Sequence, residues 1–267
     1  MQLKNNVTVL IEVYNEAHRI EECLKCFTWA EELVVFVKES TDNTLEIAKR
    51  IATHVYSVPY VQASENVVSN FALHDSKEWC FYITASSRMD ADLAAEIQKL
   101  TTDDTFEFDV IGLPYYMYVM GVTGKASPWG NGYKFVLIKK KVLRLSTVLH
   151  KEVSWDSNNI YKIPRVAASG KFFHYTHSNP DDFFIRHMRY VKNEADHYIE
   201  TYGKKAFRAA LIILFRMIGS VVIKKRTIFR GKNGFVLSIA YISYFIMLLI
   251  YVWYNLRQTK EENYEKK

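Results

Sequence analysis

The stretch VTVLIEVYNEAHRIEECLKCFTWAEELVVFVKESTDNTLEIAKR, residues 7–50, decides the fold class. Its β-branched opening, Val7–Val13, runs into the turn-forming Tyr14-Asn15-Glu16. Residues 19–27 then set Ile20, Cys23, Leu24 and Phe27 at helical spacing, which predicts a helix with one apolar face. Residues 33–37 are a second unbroken apolar run, closed by Ser40-Thr41-Asp42. Thr41 or Asp42 suits the N-cap of a helix over 44–52, where Leu45, Ile47, Ala48 and Ile51 can face a sheet. Strand and helix alternating at this spacing predict an α/β fold, a mostly parallel sheet with helices on both faces.

The pattern continues outward. His54–Val58 reads as a third strand, 66–74 as a helix, 79–84 as a fourth strand, and 93–100 as a helix begun by Asp90 or Asp92. Ligands on such sheets bind at the carboxyl ends of the strands, here Asn15-Glu16, residues 38–42 and residues 85–88. Beyond about residue 106 short strands and aromatic loops take over: Val110–Val119, 133–138, 160–163 and 170–175. These predict a smaller mixed-sheet region covering the site, with Trp129-Gly130-Asn131-Gly132 as a loop or a plain turn. The expected division is 1–105 for the α/β half and 106–180 for the mixed-sheet region. Residues 181–233 follow as a polar helix and a basic interfacial helix, then 234–267 as an apolar helix and polar tail.

Two apolar segments end the chain. Residues 209–223 are short for a membrane span, carry Arg216, and are flanked by Lys204, Lys205, Arg208, Lys224, Lys225 and Arg226, which suits a helix lying in the interface. Residues 235–254 hold no charge, about the length that crosses hydrocarbon, and end in Tyr251, Trp253 and Tyr254. If that segment crosses, the basic residues before it place the main domain in the cytoplasm; a buried helix pair is the other reading. The net charge of +6 gathers beside these apolar helices with no groove-reading motif, so a membrane and not nucleic acid is the expected partner. Cys23, Cys26 and Cys80 are too few for a disulfide framework, and the C-x-x-C lies on a helical pattern; reduced packing thiols are expected. The polar opening, residues 1–6, leads straight into a strand and predicts no signal peptide.

Six stretches in order resemble the family 2 glycosyltransferases of GT-A type, especially the lipopolysaccharide core and capsule branch. They are Val13-Tyr14-Asn15-Glu16, Trp29-Ala30-Glu31-Glu32, Ser40-Thr41-Asp42-Asn43-Thr44, Ser69-Asn70-Phe71-Ala72-Leu73, Leu149-His150-Lys151-Glu152 and His174-Tyr175. Arg230-Gly231-Lys232-Asn233-Gly234-Phe235 resembles the family's glycine-marked entry to its last apolar segment. The resemblance implies a GT-A-like Rossmann-type fold with C-terminal membrane-associated helices, at the cytoplasmic face of the inner or plasma membrane. It implies a nucleotide-sugar donor, a lipid-linked or glycan acceptor, and a divalent metal, Mg²⁺ or Mn²⁺. Donor contacts would fall to Asn15, Glu16, Ser40, Asp42, Asn70, Ser86 and Arg88. Glu152 would be the general base, with His150 orienting it.

The chain departs from that pattern where the donor binds. The family's base-binding aspartate is Val37, the arginine before Asn70 is Ser69, and its D-x-D aligns on Thr84-Ala85-Ser86. Strand one carries an unexpected Glu12. A literal D-x-D, Asp90-Ala91-Asp92, stands six residues late at a helix start, where acidic residues cap; these are weak metal candidates. Three readings remain open: an ordinary transferase, one using a lipid-phosphate sugar donor, and a silent GT-A-like protein that positions a partner.

Overall fold

The computed structural model describes residues 5–60, 75–144, 154–165 and 170–265. Contacts divide the chain into two compact units, Met1–Tyr116 with Asn131–His174, and Met117–Gly130 with Tyr175–Lys267.

The first unit is built on β1 (Val7–Val13), which pairs in parallel with β2 (Glu32–Lys38) on one side and β4 (Trp79–Ile83) on the other. Ile11 stands opposite both Val35 and Ile83. β3 (His54–Val58) extends the parallel edge beyond β2. Past β4 the direction changes: β7 (Asn131–Lys139) pairs antiparallel with β4, and β6 (Val110–Val119) antiparallel with β7. β10 (Ile160–Lys162) adds in parallel to β6, and β11 (Phe172–His177) follows β6 in the sheet. Phe172–His174 of β11 pairs antiparallel with the three-residue β5, Ser87–Met89. β8 (Leu143–Arg144) and β9 (Ser154–Trp155) form a separate ribbon.

Strands covered on both faces read as unbroken apolar runs, and β1 shows why. Val7, Val9, Ile11 and Val13 pack on one face with Ile20 and Leu24 of α1 (Ile20–Lys25), Ala48 of α2 (Thr44–Ile51) and Ile97 of α3 (Ala91–Thr102). Leu10 points to the other face and joins Val34, Phe36, Cys80, Ile138 and Leu143 of the ribbon. Each such side chain, fully buried, contributes roughly 1.5–3 kcal/mol before entropy is set against it. The α/β architecture is the one expected. The helix predicted over 66–74 lies outside the described residues. Residues 131 and 132, read as loop, are the start of β7. Its later residues are buried, and its pairing with β6 reaches Asn131.

Glu12, out of place in an apolar strand, forms an ion pair with Lys38 of the neighbouring strand, both largely shielded from water. The three cysteines are free. Burial pushes the Cys23 thiol up to about 12, so it serves as a neutral donor to the Thr84 carbonyl at 3.3 Å.

The second unit is helical: α4 (Pro180–Tyr202), α5 (Ala206–Gly219) with a π-turn over Ser220–Lys224, and α6 (Gly231–Glu265). Asn179 caps α4 by accepting the Asp182 N–H at 2.8 Å. Val191, Ala195, Ala206, Ala210, Leu248 and Val252 form a core shared by all three helices. Val119, Phe183 and Leu237 form a second, against which Trp129 packs. Two helical stretches, Pro180–Lys224 and Gly231–Gln258, are long and apolar enough to cross a membrane. The polar tail continues α6 to Glu265; its Leu, Arg, Gln, Lys and Glu residues are good helix formers.

Candidate functional site

The chain turns at the carboxyl ends of β1 and β2 are sewn to each other, and the stitches are the residues singled out for donor contact. Asn15 adopts a left-handed conformation (φ 52°), which asparagine tolerates better than most residues. Its N–H donates to Ser40 Oγ at 3.1 Å, and its Oδ1 accepts from the Thr41 N–H at 2.8 Å. The next two amides continue the seam. Glu16 N–H donates to Thr44 Oγ1 at 2.8 Å, and Ala17 N–H to Asp42 Oδ2 at 3.0 Å. Asp42 Oδ1 also accepts the Thr44 N–H at 3.0 Å. Asn15, Ser40 and Asp42 therefore spend their side-chain oxygens on the turns themselves. Glu39 also has a positive φ, 28°, and its carboxylate accepts the Tyr60 N–H at 3.1 Å.

Burial acts to raise the Asp42 pKa, but the hydrogen bonds from Thr44 and Ala17 outweigh it and hold the carboxyl below its ordinary value. A depressed folded pKa gives stability that is present above the unfolded value, about 3.9, and lost as pH falls through the folded one. Asp42→Ala is expected to cost about 1–2 kcal/mol at pH 7. The difference from the parent should shrink as pH falls through and below the ordinary carboxylate range, which urea unfolding at neutral and at acid pH measures.

Glu16 meets Arg19 through both carboxylate oxygens, Nε at 2.5 Å and Nη2 at 2.7 Å. Arg19 is 10% exposed, and its Nη1 is buried without a partner among the described residues. Arg88 is engaged through both terminal nitrogens. Its Nη1 donates to the carbonyls of Ala85 and Ser87 at 2.9 and 2.8 Å, and its Nη2 to the Arg19 carbonyl at 2.9 Å and Glu22 at 3.1 Å. A guanidinium used in this way braces the β4–β5 turn against the start of α1.

At the end of β4, where carboxylates are missing, hydroxyls gather. Thr84 Oγ1 lies 2.8 Å from Ser86 Oγ and 3.3 Å from Ser87 Oγ, and Ser86 Oγ lies 3.1 Å from His174 Nδ1. Ser86 and Ser87 are buried. His174 arrives because β11 pairs with β5, setting it opposite Ser87. His174 was visible in sequence only through the His-Tyr resemblance; nothing local ties it to Ser86, 88 residues away. Arg19 gave no signal beyond its place at a helix start.

Asp90 is the N-cap of α3. Its Oδ1 accepts the Leu93 N–H at 3.1 Å, and both its oxygens accept the Lys171 N–H at 2.9 Å. Asp92 lies exposed in the first turn. Among the described residues no three His, Cys, Asp or Glu side chains stand together as a metal site would need. Hydroxyls and one imidazole do not suit Mg²⁺ or Mn²⁺, which call for carboxylate oxygen. The donor set at Thr84-Ala85-Ser86 does not fit the metal that the resemblance implies. Asn70, His150 and Glu152 lie outside the described residues.

If the missing carboxylates are what separates this site from a metal site, the double exchange Thr84→Asp/Ser86→Asp should give a protein stabilised by Mn²⁺. About 2.7 kcal/mol is expected at a hundredfold excess over Kd, and none in the parent. Thermal unfolding with and without Mn²⁺ decides it; a variant indifferent to saturating metal would sink the idea.

No protein-family model matches the chain. Among solved structures, glucosyl-3-phosphoglycerate synthase from Mycobacterium tuberculosis, with Mn²⁺, UDP and glucosyl-3-phosphoglycerate, is similar over 43% of this chain and 44% of its own. The identity is 16% and the TM-score 0.32. S. aureus TarS is similar over 72% of this chain and 39% of its own, at 13% identity and a TM-score of 0.45. The chain thus spans under half the length of either.

Proposed function

We propose that the chain is an inverting glycosyltransferase. It passes a sugar to a lipid-linked or cell-surface glycan acceptor in lipopolysaccharide, capsule or other polysaccharide assembly. It works at the cytoplasmic face of the inner or plasma membrane, held there by its C-terminal apolar helices. The observation that carries the reading is the meeting of three strand ends. The turns after β1 and β2 are bonded to each other, and α1 ties them to the buried hydroxyl–imidazole cluster after β4 through Cys23 and the Arg19 carbonyl. A donor on an α/β sheet is bound at such ends.

The chemistry asked of the chain is modest. An acceptor hydroxyl attacks the anomeric carbon, its proton passes to Glu152, and the bond from that carbon to the donor phosphate oxygen breaks, leaving its electron pair on the phosphate. His150 orients Glu152. Charge leaving with the phosphate needs a counter-charge in place beforehand. Arg19 is the candidate, because one arm of its guanidinium is held by Glu16 while Nη1 has no partner among the described residues. Tyr14 and Tyr60, exposed with ring centroids 4.6 Å apart, offer a stacking surface for a base that the missing aspartate no longer holds. Stacking of this kind tolerates any base.

A second reading is favoured by one observation. Val37, in place of the base-binding aspartate, is buried in the core, which suits a donor with no nucleoside, such as a sugar on a lipid phosphate. A catalytically silent GT-A-like protein that positions a partner is the third outcome.

Calorimetry with UDP-, GDP- and dTDP-sugars on detergent-purified protein, with and without Mg²⁺ or Mn²⁺, separates these. Binding that needs no metal and weakens in Arg19→Ala is the expected result. Binding that appears only with metal would overturn the cation-based site. No binding to any nucleotide would leave the lipid-phosphate donor or the silent protein.

A further inference from the structure

The second unit carries information about its membrane contact that the hydropathy of its segments does not. α4 and α6 run side by side in the same direction. Phe183 shares a core with Leu237, the rings of His187 and Tyr244 lie 5.1 Å apart, and Val191 and Ala195 share a core with Leu248 and Val252. The Tyr244 hydroxyl donates to Glu194, and Asn255 Nδ2 donates to Asp196 Oδ1 at 2.8 Å. α5 returns along both: the Tyr241 hydroxyl donates to Met217 Sδ at 3.3 Å, and Ala206 and Ala210 join the core of Leu248 and Val252. The apolar stretch of α6 is thus flanked along its whole length by α4 residues 183–196 and by α5.

Those flanking helices are charged on their outer sides at the same level. Lys192 of α4 and Arg216 of α5 are exposed. If α6 crossed a bilayer, these groups would enter the hydrocarbon facing lipid, the setting in which intramembrane charges are rare; those that occur face a bundle interior or a water-filled cavity. Meanwhile α5 and α6 leave large apolar side chains in the open, Phe215 64% and Ile250 54% exposed. On α4 the exposed aliphatic and phenylalanine side chains are Phe184 and Ile185 near its start, with the amphipathic Tyr190 and Tyr202 exposed further along. Between Lys204 and Lys232 there are nine basic residues and no acidic one.

We infer that this unit lies in the plane of an anionic membrane surface and does not cross it. The α5–α6 edge, with Ile212, Phe215, Ile239, Ile246, Ile250 and Trp253, enters the acyl boundary. The charged edge of α4 stays in water, and the basic residues of 204–232 meet anionic headgroups. The surface is a property of the unit's own helices, whatever reaction the first unit performs.

Two measurements on the full chain test it. Cysteines placed by Lys232→Cys and Gln258→Cys flank the apolar stretch of α6, so an impermeant maleimide reports their sides in intact cells and after lysis. Both are expected to be protected in intact cells and to react after lysis; reaction of either one in intact cells means a crossing helix and overturns the inference. Sedimentation with vesicles supplies the second arm. The chain is expected to bind equimolar phosphatidylcholine–phosphatidylglycerol vesicles, more weakly without phosphatidylglycerol, and Ile250→Asp to weaken binding roughly tenfold. Failure to sediment with either vesicle, or indifference to Ile250→Asp, would also overturn it.

Discussion

A valine at Gly170 is expected to leave the first unit unfolded or molten, with a loss of roughly 4 kcal/mol or more. A side chain begun at this glycine would place its Cβ 2.0 Å from the Leu93 backbone nitrogen and 2.4 Å from the Leu93 Cα. Neither is the end of a flexible side chain; both belong to the first turn of α3. The neighbouring Lys171 N–H donates to the Asp90 carboxylate that caps that same turn, so the segment cannot retreat without breaking those hydrogen bonds. Leu93 and Ile97 lie fully buried in the main core, so displacing α3 opens it. Alanine should already be poorly tolerated, by about 2–3 kcal/mol. Loss of near-ultraviolet circular dichroism with retained far-ultraviolet signal would mark the molten outcome. A valine variant with the parent's urea midpoint would show that the close approach is not required.

Glu152→Gln is expected to lower turnover by roughly 10²–10⁴-fold while leaving donor affinity close to that of the parent. The reason is chemical: glutamine keeps the shape of the side chain and one accepting oxygen but cannot take up the acceptor's proton. The split between turnover and affinity is the informative part. If Glu152 supported the donor site, Kd would rise with the loss of activity. If it did nothing, both would stay unchanged, and the base would have to be sought elsewhere. His150→Ala should lose less than Glu152→Gln, since it acts through the carboxylate and not on the substrate. Single-turnover rates with the donor identified by calorimetry, together with that donor's Kd in each variant, check both.

The parallel half of the sheet was legible because three of its strands, β1, β2 and β4, are buried on both faces. Such strands carry unbroken apolar runs, and the turns between them carry the residues that cap and bend. The site was legible in part. Asn15, Ser40 and Asp42 were found because turn chemistry selects them, and for the same reason they prove occupied with the turn. What could not be read depends on partners far apart in the chain. Glu12 looks anomalous until Lys38 is set beside it by the pairing of β1 with β2. Ser86 looks like a lost metal ligand until β11 brings His174 to it. β5 has three residues, too few for any periodicity to register. Arg88 could have faced phosphate or a surface acid; it spends three of its bonds on carbonyls, acceptors that leave no trace in a sequence. The membrane segments show the same limit. Hydropathy marks α6 as apolar, but only the packing of α4 along it reveals charges at the same depth.

The second unit also sets a timetable for synthesis. Trp129 packs edge-on against Tyr241, with ring centroids 5.1 Å apart, so a segment made early waits for a helix made more than a hundred residues later. At roughly 5–20 residues per second of translation, that delay is of the order of 5–20 seconds. During it, the apolar faces of the early segment and of α4 have no helix to cover them. A nascent chain in this state offers chaperones, or a nearby bilayer, the surfaces that α6 will later occupy. The unit therefore completes its fold only once most of α6 has emerged from the ribosome, and a stall or premature stop before Tyr241 would leave the sheet-bearing unit joined to an uncovered, aggregation-prone stub.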